Sequence, residues 1–257
     1  NLTMHIFLQG SRVGSAVLNP AAYGLLSLQD EVRDAFGWSE EADALSASEM
    51  SQQFLEDAPY GCLEWDSTTR QSALLTLKQS ICSAERLVVV GAGSESISVS
   101  DYPGALFVAA DGAVGAVDDL TKVLCVVSDG DGAEHLERAA QAGVHIALHA
   151  HGDNHDVWLR LVEAWAHLED PPPLTLTHQA NVELEGLHNP GGFTDGDRAL
   201  CFIHALGRSL NEIECIGFRT DVVGQWSGTT NPERKMRKLA WMQESMRRLG
   251  VEHHLIS

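Results

Sequence analysis

The spacing of apolar residues changes near position 80. Before it, residues 28–36, 46–55 and 67–77 carry apolar or small side chains at helical intervals, and Asp57-Ala-Pro-Tyr-Gly61 forms a turn between them. After it come short, nearly unbroken apolar runs: Leu87-Val-Val-Val-Gly91, Ala105-Leu-Phe-Val-Ala109, Val123-Leu-Cys-Val-Val127, Val144-His-Ile-Ala-Leu148, Leu174-Thr-Leu-Thr177 and Glu212-Ile-Glu-Cys-Ile-Gly-Phe218. Runs of this kind suit parallel strands, which are buried on both faces. Helical stretches separate several of them, from 154 to about 168 and from 191 to about 208, with Pro171-Pro172-Pro173 as a break. Asn231 and Pro232 open a last helix as N-cap and first-turn proline, and 251–256 reads as a closing strand. The expected fold is α/β: a mostly parallel, Rossmann-like sheet with flanking helices over 81–257, preceded by a helical N-terminal appendage over 1–80. The opening residues to Gly14 carry no readable pattern.

Three of the apolar runs end in carboxylates. They lead into Asp111-Gly112, Ser128-Asp129-Gly130-Asp131-Gly132 and His151-Gly152-Asp153-Asn154. In an open parallel sheet the carboxyl ends of the strands line the ligand crevice. Acids dispersed in sequence then converge at one edge, where they repel one another unless a cation sits among them. The pattern predicts a divalent-metal site, with Asp129 and Asp131 as its centre.

Composition narrows the partners. At 257 residues and 44% hydrophobic, the chain can build a full core, and no apolar run approaches the length of a membrane span. The N-terminus lacks a secretory pattern, and five cysteines without a CxxC pair read as free thiols, so the chain is expected in the reducing cytoplasm. A formal charge of −19 argues against a general binder of nucleic acid or anionic membrane. Six of the 17 basic residues nevertheless gather near the C-terminus, as Arg234, Lys235, Arg237, Lys238, Arg247 and Arg248. The first four stand at a helix start, where the dipole disfavours them, which points to a phosphate-facing role against the bland alternative of a solvated helix face.

The remaining motifs each carry two meanings. Gly91-Ala92-Gly93-Ser94 after a strand offers backbone N–H groups to a phosphate at a helix start, or is merely a tight strand exit; serine at 96 replaces the third glycine of the dinucleotide fingerprint. His149-Ala-His151-Gly-Asp153-Asn154 invites a zinc-hydrolase assignment, but the familiar HxHxDH pattern needs histidine where Asn154 stands. Phe193-Thr194-Asp195-Gly196-Asp197-Arg198 makes a capping-box-like helix start from Thr194 and Asp197. It also offers acids to a metal and a guanidinium fork to phosphate. No P-loop and no G-x-S-x-G elbow occurs.

In this order the motifs resemble one family, the archaeal-type 6-hydroxymethyl-7,8-dihydropterin pyrophosphokinases, relatives of thiamine pyrophosphokinase. The resemblance lies in Val88-Val-Val-Gly-Ala-Gly93, Ala110-Asp-Gly-Ala113, Ser128-Asp-Gly-Asp-Gly132, His149-Ala-His-Gly-Asp-Asn154 and Gly192-Phe-Thr-Asp-Gly-Asp-Arg-Ala199, and Phe36-Gly37-Trp38-Ser39 adds an N-terminal match. The chain departs from the family at Ser94-Glu95-Ser96, at Gly130 and in part over Gly217-Phe218-Arg219-Thr220-Asp221.

The resemblance implies Mg²⁺-dependent transfer of pyrophosphate from ATP to the hydroxymethyl group of a reduced pterin, with release of AMP. It implies metal ligands among Asp111, Asp129, Asp131, Asp153, Asp195 and Asp197, and catalytic work by His149, His151, Asp153 and Arg198. ATP contacts are then expected from Gly91, Gly93, Ser94, Asn154, Thr194, Lys235 and Lys238. Candidates for reading the pterin are Asn154, Asn181, Phe193 and Trp226. A homodimer through the sheet edge or the N-terminal helices fits the pattern. The competing functions are a zinc-dependent hydrolase and a non-catalytic nucleotide-binding module.

Overall fold

The computed structural model describes residues 17–55, 57–228 and 231–256; the opening segment to Gly14 lies outside them. The elements run α1 (Tyr23–Phe36), α2 (Glu40–Gln53), α3 (Ser67–Ser83), β1 (Arg86–Val90), β2 (Ala105–Ala110), β3 (Val123–Ser128) and α4 (Ala133–Gln141). They continue with β4 (His145–Ala150), α5 (His155–Trp165), β5 (Leu174–His178), β6 (Leu187–His188), α6 (Asp195–Ala205), β7 (Ile213–Ile216) and α7 (Pro232–Arg248). The seven strands form one sheet in the order β6-β5-β4-β3-β2-β1-β7, with every pairing parallel. This is the α/β architecture that the sequence predicts.

Alternation along the strands feeds two cores. Val88 and Val90, Phe107 and Ala109, and Ile146 and Leu148 point to one face, where Met50 of α2, Leu136 of α4 and Trp158, Val162 and Trp165 of α5 cover them. Leu87 and Val89, Val108, and Cys125 and Val127 point to the other, against Leu74, Leu77 and Ile81 of α3, the apolar side of α6, and Leu239, Met242 and Met246 of α7. The N-terminal helices are therefore built into the layers: α2 lies on β4 and β5, and α3 on β3 and β5. A third, small cluster joins Leu28 and Val32 of α1 to Phe193, with Phe36, Trp38 and Trp241 around it.

Two sequence expectations change. Residues 251–256 form no strand: a short 3₁₀ turn over Glu252–His254 follows α7, and a single bridge joins Ile256 to Arg219. Conversely, β6 is only two residues long, too short to show any period. No helix among the described residues is long and apolar enough to cross a membrane.

Candidate active site

The acids gather where β2 and β3 end. Asp111 follows β2 in a left-handed conformation, φ +48°, and accepts a hydrogen bond from the hydroxyl of Ser128, the last residue of β3. The same hydroxyl oxygen accepts the Gly130 N–H at 2.8 Å, which folds the following turn back on itself. Carboxylate oxygens of Asp111, Asp129 and Asp131 thereby come within 4.8 Å of one another. Asp195, the first residue of α6, faces the same cluster. Burial, and then the charges of Asp195, Asp131 and Asp129, push the Asp111 carboxyl well above the usual range. Burial and the Asp129 charge likewise raise Asp195 to about 7.

Asp129 is the opposite case. Burial opposes its ionisation, but the hydrogen bond to His151 and the charges of Arg198 and Lys238 outweigh burial and hold its carboxyl well below the normal value. Its Oδ1 is buried without a hydrogen-bond partner. An ionised, orphaned oxygen beside further carboxylate oxygens is a donor set for a hard divalent cation. The residues fit Mg²⁺.

A cationic wall faces the acids. Arg198 donates through Nη1 to Asp195 at 3.2 Å and through Nη2 to the side-chain oxygen of Gln179 at 2.8 Å, and Nη1 stands 3.9 Å from Asp129. Lys238, its pKa lowered by burial, lies over the rings of Trp38 and Phe193 at 5.6 and 5.8 Å. Lys235 lines the crevice beside it. His151 accepts the Asp153 N–H on Nδ1 at 3.2 Å, which places its proton on Nε2, 3.4 Å from Asp129. That imidazole therefore orients the carboxylate.

The crevice has two halves that share Asp131, Thr194, Asp195 and Lys235. One half is walled by Gly91, Gly93, Phe218, Trp226 and Met242. The other is polar and carries His151, Arg198 and Lys238 under Trp38 and Phe193.

No protein-family model matches the chain. Its relatives do: a 6-hydroxymethyl-7,8-dihydropterin pyrophosphokinase of Pyrococcus furiosus is 35% identical over 173 residues, which cover 62% of this chain and 70% of that protein. This chain belongs to that family. A second member, from Methanothermobacter thermautotrophicus, is 30% identical over 185 residues, 68% of this chain and 69% of its own.

Several residues that the pyrophosphokinase resemblance puts at the site stand elsewhere. Asp153 does not join the cluster: its side chain is 63% exposed and pairs with Arg234 at 2.9 Å, at the mouth of the crevice. The cause is Asn154, whose side chain turns inward, accepts the His151 N–H and donates to the carbonyls of Asp129 and His149 at 2.7 and 2.6 Å. Asn154 is thus a strut between the ends of β3 and β4. An Asn154→Ala variant strands two buried carbonyls and an N–H. The expected cost is about 3 kcal/mol, seen calorimetrically as a Tm fall of roughly 6–12 °C; an unchanged Tm would show that these bonds do not hold the strand ends.

His149 is likewise withdrawn from the crevice. Its ring nitrogens meet Thr177 at 3.0 Å and Gln179 at 3.4 Å, and burial followed by the Arg198 charge keeps it neutral, far below the usual imidazole pKa. Asp197 spends both oxygens on the helix start, accepting from the N–H groups of Phe193 and Thr194. Thr194 completes that capping box and lines both halves of the crevice.

The glycine turn lines the crevice, and no α-helix follows it directly. The N–H groups of Gly91, Gly93 and Ser94 are already given to Ile216, Gly217 and Gly91 carbonyls. Its glycines serve close approach: a Cβ on Gly91 or Gly93 would lie 2.8 or 2.9 Å from the Gly217 oxygen. Asn181 points away, to Asp30. Ser128 stands in the Ser128-Asp129-Gly130-Asp131-Gly132 motif without a role, and in the structure it aims Asp111. The motifs leave out Gln179, which carries Arg198; it has no motif signature of its own, and its place after β5 brings it to the site.

Proposed function

We propose that the chain transfers pyrophosphate from ATP to the hydroxymethyl group of 6-hydroxymethyl-7,8-dihydropterin, with Mg²⁺, and releases AMP. The observation that carries this is the ionised, partnerless oxygen of Asp129, set between neighbouring carboxylates and the cations of Arg198, Lys235 and Lys238. Pyrophosphoryl transfer asks for charge neutralisation and in-line positioning more than for covalent help. The pterin hydroxyl oxygen bonds to the β-phosphorus and gives up its proton to solvent as the bond from that phosphorus to the α,β-bridging oxygen breaks, and AMP departs with that oxygen. Arg198 and the two lysines hold the phosphate oxygens, and His151 keeps Asp129 ionised and aimed. Magnesium held by Asp111, Asp129 and Asp131, with Asp195 beside them, supplies electrostatic stabilisation of the polyphosphate. The zinc alternative has less support, since one of its two strand histidines, His149, is engaged with Thr177 and Gln179.

Chromatographic assay of the protein with ATP, magnesium chloride and the hydroxymethyl pterin should yield AMP and pterin diphosphate in equal amounts, and no AMP when the pterin is left out. AMP-free reactions together with tightly bound zinc in the purified protein would sink the assignment.

The acids also set a pH dependence. In the folded protein Asp195 keeps its proton to about 7 and Asp111 titrates well above its ordinary value. Unfolded, both ionise near pH 4. These two acids hold more protons in the folded state between about pH 4 and 7, so their own contribution to metal-free stability falls as pH rises through that window, while buried His145, His178 and His188, each lowered to about 4, pull the other way below about pH 6.5. Asp129, shifted downward, contributes the reverse slope only below about pH 4. Magnesium must displace the protons of these acids, so the rise in Tm on replacing chelator with excess magnesium should be larger at neutral than at mildly acid pH. An equal rise at both pH values would contradict it.

A further inference from the structure

A buried carboxylate outside the crevice reaches into it twice. Asp43, in the first turn of α2, is 5% exposed. Its Oδ1 accepts the N–H of Gly152 at 2.8 Å, inside the loop that carries His151 and Asp153. Its Oδ2 accepts from the side-chain amide of Gln179 at 2.7 Å and from Arg33 of α1 at 3.2 Å. Arg33 also donates to the Gln179 carbonyl at 3.0 Å and pairs with Asp30. The approach of α2 to the loop is as close as a backbone allows, since a Cβ on Gly152 would lie 2.7 Å from the Ala42 side chain.

The chemistry of Asp43 fixes an orientation. An ionised carboxylate only accepts hydrogen bonds. Gln179 must therefore present its NH₂ to Asp43, which turns its oxygen to Nη2 of Arg198 at 2.8 Å and toward Nε2 of His149 at 3.4 Å. If the amide were reversed, two sets of N–H donors would face each other at Arg198.

We propose that Asp43 is a positioning residue for the phosphate-binding wall: through Gln179 it sets the guanidinium of Arg198, and through Gly152 it sets the loop of His151. This rests on the function proposed above and extends it to the N-terminal helices, which contribute no side chain to the acid cluster. The active geometry is then completed from α2, about 150 residues before Arg198 in the chain.

The test measures ATP affinity by titration calorimetry in magnesium chloride. Asp43→Asn keeps the shape but turns one acceptor into a donor, which must oppose either the Gly152 N–H or the Gln179 amide. Outer-shell changes of this kind typically cost about 10–100-fold, and a loss in that range is expected, with far-UV dichroism unchanged. In an Arg198→Lys background, the same substitution should cost clearly less than it does alone, because only the Gly152 route to the His151 loop remains; a role in general stability would leave the two losses additive. Gln179→Met severs the relay while leaving the Asp43 carboxylate on Gly152 and Arg33, and should weaken ATP in the same way even if Asp43→Asn fails to fold. Wild-type ATP affinity in folded Asp43→Asn, wild-type affinity in Gln179→Met, or additive losses would overturn the inference alone. Failure of the unmodified protein to bind ATP would overturn the proposed function and this inference with it.

Discussion

Asp129→Asn should leave a folded protein in which AMP release falls by at least about a thousandfold. A metal ion that polarises a phosphoryl group contributes several kcal/mol to the transition state, and each 1.36 kcal/mol is tenfold in rate. Asp129 holds the orphaned ionised oxygen of the cluster, so its loss removes the strongest donor. The same change lightens the repulsion that raises Asp111 and Asp195. Magnesium should accordingly no longer raise Tm, while metal-free Tm balances that relief against the lost pairing with His151 and Arg198. Retained transfer, or an undiminished magnesium response, would remove Asp129 from the ion's coordination.

Arg198→Lys should lower kcat/KM for ATP by about a hundred- to a thousandfold, although the charge is conserved. The guanidinium serves Asp195 and Gln179 from separate nitrogens and leans on Asp129. A lysine is a single compact charge and cannot span that fork. Charge-assisted hydrogen bonds contribute about 1.5–3 kcal/mol each, and two are forfeited with a phosphate contact beside them. Initial rates of AMP release over a range of ATP concentrations give the measurement. Unchanged KM and kcat would show that Arg198 acts through its charge alone.

The sheet could be read from the sequence because its central strands are covered on both sides. Val108, Cys125 and Val127 face one core, and Phe107, Val126 and Ile146 the other, so the runs are apolar throughout and their ends are sharp. The loops beyond those ends were less legible. Asp153 and Asp195 look alike on paper, each preceding or following a glycine near a histidine or threonine. One is swung out because Asn154 grips two carbonyls, and the other begins a helix that aims it inward.

The packing of the N-terminal helices was hidden for a different reason. α2 meets the sheet with Ala47, Met50 and two buried serines, Ser46 and Ser51. A contact face this small and polar has no apolar stripe to betray it. The glycine turn is ambiguous by composition, since close approach to a neighbouring segment and approach to a phosphate both demand glycine.

Asp111 carries two burdens at once. Its backbone is left-handed at φ +48°, which costs a non-glycine residue about 1–2 kcal/mol, and its carboxylate is packed among others of the same sign. Glycine would suit that backbone better, and would also leave the acid cluster one charge lighter. A chain shaped by heat resistance alone would have little use for aspartate there. The energy saved by that substitution sets a floor under what a ligand at this position must contribute, so the margin between the thermal stabilities of Asp111→Gly and the parent, both without metal, measures how far this protein has been held from its most durable form.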